Sequence, residues 1–131
     1  MAKLEREITS LSEAGCKVVL VSFGTARASN TWLAETKSQL EMFVDGEKAL
    51  YKMLGQVRST SQVYNINTIK YVAVMNIHGQ DLPALIDGDV QDDLQMGGNM
   101  TIRCKSREVV MAYPSKGATD RPSVKQIMEK L

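Results

Sequence analysis

The sequence predicts an α/β domain, and three observations carry that expectation. Stretches with the apolar spacing of a helix alternate with short β-branched runs through the first half of the chain. Two further strand-like runs near the C-terminus are joined by the short polar link "KSRE", which suits an antiparallel hairpin. A Ser-x-x-Gln signature, Ser123 to Gln126, then opens a last helix. The predicted order is α, β, α, β, α, an irregular insert over 56–96, then β, β, α. At 131 residues this suits one domain spanning 1–131.

Residues 2–14 predict a helix, because Leu4, Ile8 and Leu11 recur at i, i+4, i+7 with charges on the other face. Gly15 follows as its stop. Val18 to Phe23, ended by Gly24, has the composition of a strand buried on both faces. "TARASNTWLAETKS" is a helix with Thr25, Ser29 and Asn30 as candidate caps and Trp32 and Leu33 facing inward. "LEMFVD" is a second, shorter strand. Asp45 and Gly46 open the helix "EKALYKMLG", with Gly55 at its C-cap. Within the insert, "INTIKYVAVMNIHG" carries roughly a helical stripe, although its β-branched content also fits a strand. Met100–Cys104 and Glu108–Tyr113 are the hairpin strands. Val124, Ile127, Met128 and Leu131 form the inner face of the closing helix.

Composition excludes several classes of function. With 16 basic and 15 acidic residues the net charge is +1, which offers neither a nucleic-acid footprint nor a polybasic membrane surface. No apolar run approaches the roughly 20 residues needed to span a bilayer. The charged start "MAKLEREITS" has no signal-peptide core, so the expected location is cytoplasmic. Cys16 and Cys104 form no C-x-x-C pair and lie beside apolar runs, which predicts buried, reduced thiols. The single His78 completes no metal set and is expected in an exposed loop. Asp81, Asp87, Asp89, Asp92 and Asp93 cluster in the insert, but no calcium-loop register fits them. No metal and no cofactor are expected. Met96 and Met100, beside the glycine pair, could line an apolar pocket. Arg58 and Arg103 are the expected ion-pair partners of the insert's aspartates.

The stretches "GCKVVLVSFG", "WLAETKSQLEMFVDGEKALYKMLG", "GDVQDDLQMGGNMTI" and "DRPSVKQIMEKL" together resemble the peroxiredoxin-like 2 family of the AhpC/TSA group. That family includes selenoprotein U-like proteins and prostamide/prostaglandin F synthase. The resemblance runs in register over nearly the whole chain and implies a thioredoxin-like fold, ending in the antiparallel hairpin and closing helix. It also implies a thiol-dependent antioxidant or oxidoreductase activity. In proteins of this kind a strand followed by C-x-x-C opens the first helix, whose N–H groups and dipole activate the attacking thiol. Here the first helix begins at Met1, so the strand and motif are expected to be truncated. Neither Cys16 nor Cys104 matches the attacking position.

Two expectations follow from that departure. Chemically, the resemblance predicts a non-catalytic thioredoxin-fold protein. The alternatives are an active redox enzyme, reducing peroxides or prostaglandin endoperoxides and prostamides through Cys16 or Cys104, or one whose site is lost by truncation. Architecturally, removing a central strand leaves unpaired backbone groups beside Val18–Phe23. Either the strands close up or another chain fills the gap, which predicts a homo-oligomer through it. Thr25, Gly97, Gly98 and Asn99 are the residues whose loops are expected to face the active-site cleft.

Overall fold

The computed structural model describes residues 2–80 and 92–131. The acidic run Asp81, Asp87 and Asp89 therefore lies outside the described residues.

Helix α1, Ala2–Glu13, forms where the periodicity predicts it. It ends in a Schellman turn: Gly15, at φ +80°, donates to the Ser12 carbonyl at 2.9 Å, and the Cys16 N–H donates to the Leu11 carbonyl at 2.9 Å. Strand β1, Val19–Ser22, is followed by helix α2, Ala26–Thr36, whose N-cap is Thr25. Strand β2, Glu41–Val44, lies parallel to β1, with Val19 opposite Glu41 and Ser22 opposite Val44. Helix α2 is the crossover that a parallel pair requires.

Helix α3, Ala49–Met53, is opened by Asp45, whose carboxylate accepts from the N–H groups of Ala49 at 2.9 Å and Leu50 at 2.8 Å. Gly55 follows at φ +69°. The insert then holds the short helix α4, Thr60–Val63, and helix α5, Ile66–Ile77, capped by Asn65 Oδ1 at 2.9 Å from Asn67 N and 3.0 Å from Thr68 N. The helical reading of 66–77 is the one adopted.

Strands β3, Gly98–Arg103, and β4, Glu108–Pro114, form the antiparallel hairpin. The register shifts between Thr101 and Ile102, leaving Val110 as an extra residue on β4, a bulge that bends the ribbon. Helix α6, Val124–Met128, closes the chain with a complete capping box and packs against α1. Ser123 Oγ accepts from Gln126 N at 3.2 Å, and the Ser123 N–H donates to Gln126 Oε1 at 2.8 Å.

Among the described residues the strands make two separate two-stranded sheets, β1–β2 and β3–β4. This corrects the expectation that Val18–Phe23 is buried on both faces: Val19 is exposed and the rest of β1 is half-buried. The strand has the composition for burial, but a two-stranded sheet gives it a neighbour on one edge alone. Among the described residues the buried apolar side chains are Leu11 and Met96.

The cysteine expectation is corrected as well. Cys16 is half-buried and Cys104 is exposed, because β3 ends at Arg103 and Cys104 falls in the turn 104–107. That turn carries Arg107 at φ +58°. Trp32 is also more exposed than an inward-facing position implies.

Candidate functional site

The carboxyl end of β1 and the start of β3 meet over one side chain, Tyr51. The Asp45 N–H donates to the Ser22 carbonyl at 2.6 Å, so Ser22 directs its backbone groups toward β2. Backbone groups alternate along a parallel strand, so those of Val21 point the other way, to the open edge. There the Tyr51 hydroxyl donates to the Val21 carbonyl at 3.0 Å. The same ring meets Phe23 edge-on, with centroids 5.5 Å apart. A Cβ added to Gly97 would lie 3.8 Å from Tyr51 Cε1, an ordinary contact. Burial, reinforced by the Asp45 carboxylate, pushes the Tyr51 phenol above its usual range and keeps it a donor.

The glycine pair divides its work. At Gly98 an added Cβ would lie 2.4 Å from the Tyr113 carbonyl oxygen, inside the hairpin itself. Gly98 is thus demanded by the closeness of β4 rather than by anything across a cleft. Gly97 faces Tyr51, and its carbonyl accepts from Ser115 N at 3.1 Å. Asn99 follows on β3, its Oδ1 buried without a hydrogen-bond partner.

Polar links anchor the segment that delivers the glycines. Residues 57–59 run antiparallel to 94–96: Ser59 N donates to Leu94 O at 2.9 Å, and Met96 N to Val57 O at 3.2 Å. Asp92 ties this segment to α3. Its Oδ2 accepts from Lys48 Nζ at 2.6 Å and its Oδ1 from Arg58 Nε at 2.8 Å. The Lys48 hydrogen bond, aided by Arg58 and opposed by partial desolvation, holds the Asp92 carboxyl below the usual aspartate range. Lys48 also lies 4.5 Å from the Phe23 ring centroid and 3.3 Å from Gln95 Oε1. Asp93 accepts from the Tyr64 hydroxyl at 2.7 Å. Arg58 thus pairs with an insert aspartate as expected. Among the described residues Arg103 instead pairs with Glu108 and the Leu131 carbonyl. Met96 is buried and Met100 half-buried, both as packing residues.

The predicted site residues fall at the start of β3, just after β1 and, for the two thiols, at the other end of β1 and in the hairpin turn. Gly97, Gly98 and Asn99 sit at the start of β3. Thr25 follows β1, and its hydroxyl accepts from Ala28 N at 3.2 Å as the α2 cap. Cys16 lies at the other end of β1, at the carbonyl end of α1, where its own N–H closes the Schellman turn. Cys104 is six residues along the hairpin from Gly98, on the order of 20 Å away at strand rise. His78 is exposed at the C-cap of α5. Among the described residues no three His, Cys, Asp or Glu side chains gather to hold a metal ion, and no helix is long and apolar enough to cross a membrane.

Sequence reasoning did not single out Tyr51, Lys48 or Phe23. The one available signal was an aromatic in a helix whose apolar face was already complete with Ala49, Leu50, Met53 and Leu54.

Residues 3–117 match the family described as AhpC/TSA antioxidant enzyme. This chain belongs to that family, and with the hairpin and closing helix in place its class is the thioredoxin-like α/β fold. No curated protein and no solved structure matches it.

Proposed function

We propose that this chain is a non-catalytic thioredoxin-fold module of the AhpC/TSA group, which keeps one wall of a redox site and supplies no attacking thiol. That wall is the start of β3, where Gly97 faces Tyr51 on the open edge of β1 and Gly98 and Asn99 follow. The observation that carries the reading is the position of the two thiols. Activated thiolates are held by free N–H groups at helix N-termini. Cys16 closes a helix C-terminus, and Cys104 stands in a hairpin turn remote from the glycine loop.

The second reading, a thiol-dependent reductase, is favoured at one point. Cys104 is exposed and flanked in sequence by Arg103, Lys105 and Arg107, surroundings that favour a thiolate. A direct experiment separates the two. Consumption of hydrogen peroxide and of a prostaglandin endoperoxide is followed with dithiothreitol as reductant, for the native chain, C16S, C104S and C16S/C104S. Equal rates in all four support the module. Turnover lost with C104S establishes the reductase.

The open edge of β1 has a matching role. The two sheets have not closed up, and a phenol hydroxyl occupies the place of a strand's N–H at Val21. An extended segment from another chain, displacing Tyr51, would join them. Exchange of the Val21 and Val19 amides that slows with protein concentration supports this; concentration-independent exchange refutes it.

A further inference from the structure

Helix α5 is built inside out. Its half-buried positions are Thr68, Val72 and Met75, one side of the helix at i, i+4, i+7. The opposite side carries Ile66, Ile69, Ala73 and Ile77, at i, i+3, i+7, i+11, with Val74 and Lys70 on its flank. Ile66 is 61% exposed, Ile69 55%, Val74 52% and Ile77 81%. A surface helix normally buries such a stripe and exposes its polar residues. Lys70 is the single charge in the helix.

The stripe also has like ends. About the helix midpoint, between Tyr71 and Val72, Ile66 mirrors Ile77, and Lys70 falls opposite Ala73. A two-fold axis through that midpoint would set α5 antiparallel to its own copy. Ile66 would then meet the other copy's Ile77, since the two lie on the same side of the helix. Each Lys70 would lay its aliphatic stem over an alanine rather than meet a second lysine. An isologous interface requires this self-complementarity.

We infer that α5 is a homodimerisation surface, its occupant the α5 helix of a second copy of this chain. The stripes would remove on the order of 1,000 Å² from water, at the lower edge of specific interfaces, so the dimer forms in the micromolar range. The surface is separate from the open edge of β1 and independent of whether the chain has redox activity.

Sedimentation velocity from about 5 to about 200 μM tests it, spanning the affinity expected of so small an interface. The native chain should pass from monomer to dimer across the series. I66E and I77K place charges at the ends of α5 that suit its dipole, so the helix itself is preserved. Each alone should weaken dimerisation at least about tenfold, by burying an unpaired charge. The double variant I66E/I77K should recover to within about threefold of the native chain, since only the antiparallel register sets the two new charges opposite each other. A native chain that stays monomeric throughout overturns the inference. So does a dimer unaffected by the single variants, or a double variant no better than either. A monomer that instead cosediments with phosphatidylcholine vesicles, and loses this with I77K, assigns the stripe to a lipid surface and equally overturns it.

Discussion

The two sheets solve the same problem in different ways. The β3–β4 hairpin closes on itself. Its ladder runs from Gly98 opposite Pro114 to Arg103 opposite Glu108, and Ser115 extends it by one backbone bond to Gly97. The β1–β2 pair is held along one edge by backbone and, at Val21, along the other by a side chain. A hairpin is completed by neighbours in sequence, whereas a parallel pair depends on groups far along the chain. Tyr51 is thirty residues from Val21. Damage to the hairpin should therefore be a matter of backbone space, and damage to the parallel pair a matter of losing particular side chains.

The largest expected effect is Gly98→Ala, whose methyl has no room beside the Tyr113 carbonyl. It should destabilise the chain by about 3 kcal/mol in urea unfolding, the upper end of overpacking costs. Gly97→Ala is the control, with a loss of less than about 0.5 kcal/mol, since its methyl makes an ordinary contact with Tyr51. Equal losses at the two positions would remove the distinction between them. Next is Tyr51→Phe, which keeps the ring and leaves the Val21 carbonyl bare, at about 1 kcal/mol. Its mark should be faster amide exchange in β1 than in the hairpin.

The acid response is a third test. The Asp92 and Asp120 carboxyls are both held low, Asp120 first by the Lys116 N–H and then by the Tyr113 hydroxyl. A depressed carboxyl contributes stability above its unfolded pKa and loses it as pH falls through the folded value. Both contributions should be present at neutral pH and fade below about pH 4. In urea midpoints taken from pH 7 to pH 3, Asp92→Asn should flatten part of that fall. An unchanged profile would mean that the Lys48–Asp92–Arg58 link adds nothing measurable. The smallest effect is Ser29→Ala. The Ser29 hydroxyl is buried without a partner, so its removal should be neutral or stabilise by up to about 1 kcal/mol.

Much of the secondary structure was legible because its causes are local. The Ser123–Gln126 capping box, the Gly15 and Gly55 stops, the Asp45 opening of α3 and the hairpin all rest on residues within a few positions of one another. The candidate site was half legible. The glycine pair stood out, but the reason for Gly98 did not, because the Tyr113 carbonyl that forbids a side chain there is fifteen residues away. Cys104 reads as the end of a strand because it closely follows the run Met100–Ile102, and the turn begins one residue sooner.

By itself, then, the sequence determined the order of most elements, several of their caps, the α/β class and the family resemblance, since propensity, capping and periodicity act over one or two turns. The tertiary structure alone decided that the strands form two sheets rather than one, that Tyr51 rather than a strand meets the edge of β1, that both thiols lie away from the glycine loop, and that α5 turns its isoleucines outward. Each of these depends on which distant groups compete for the same backbone carbonyl or the same buried face, and no local pattern records the outcome of that competition.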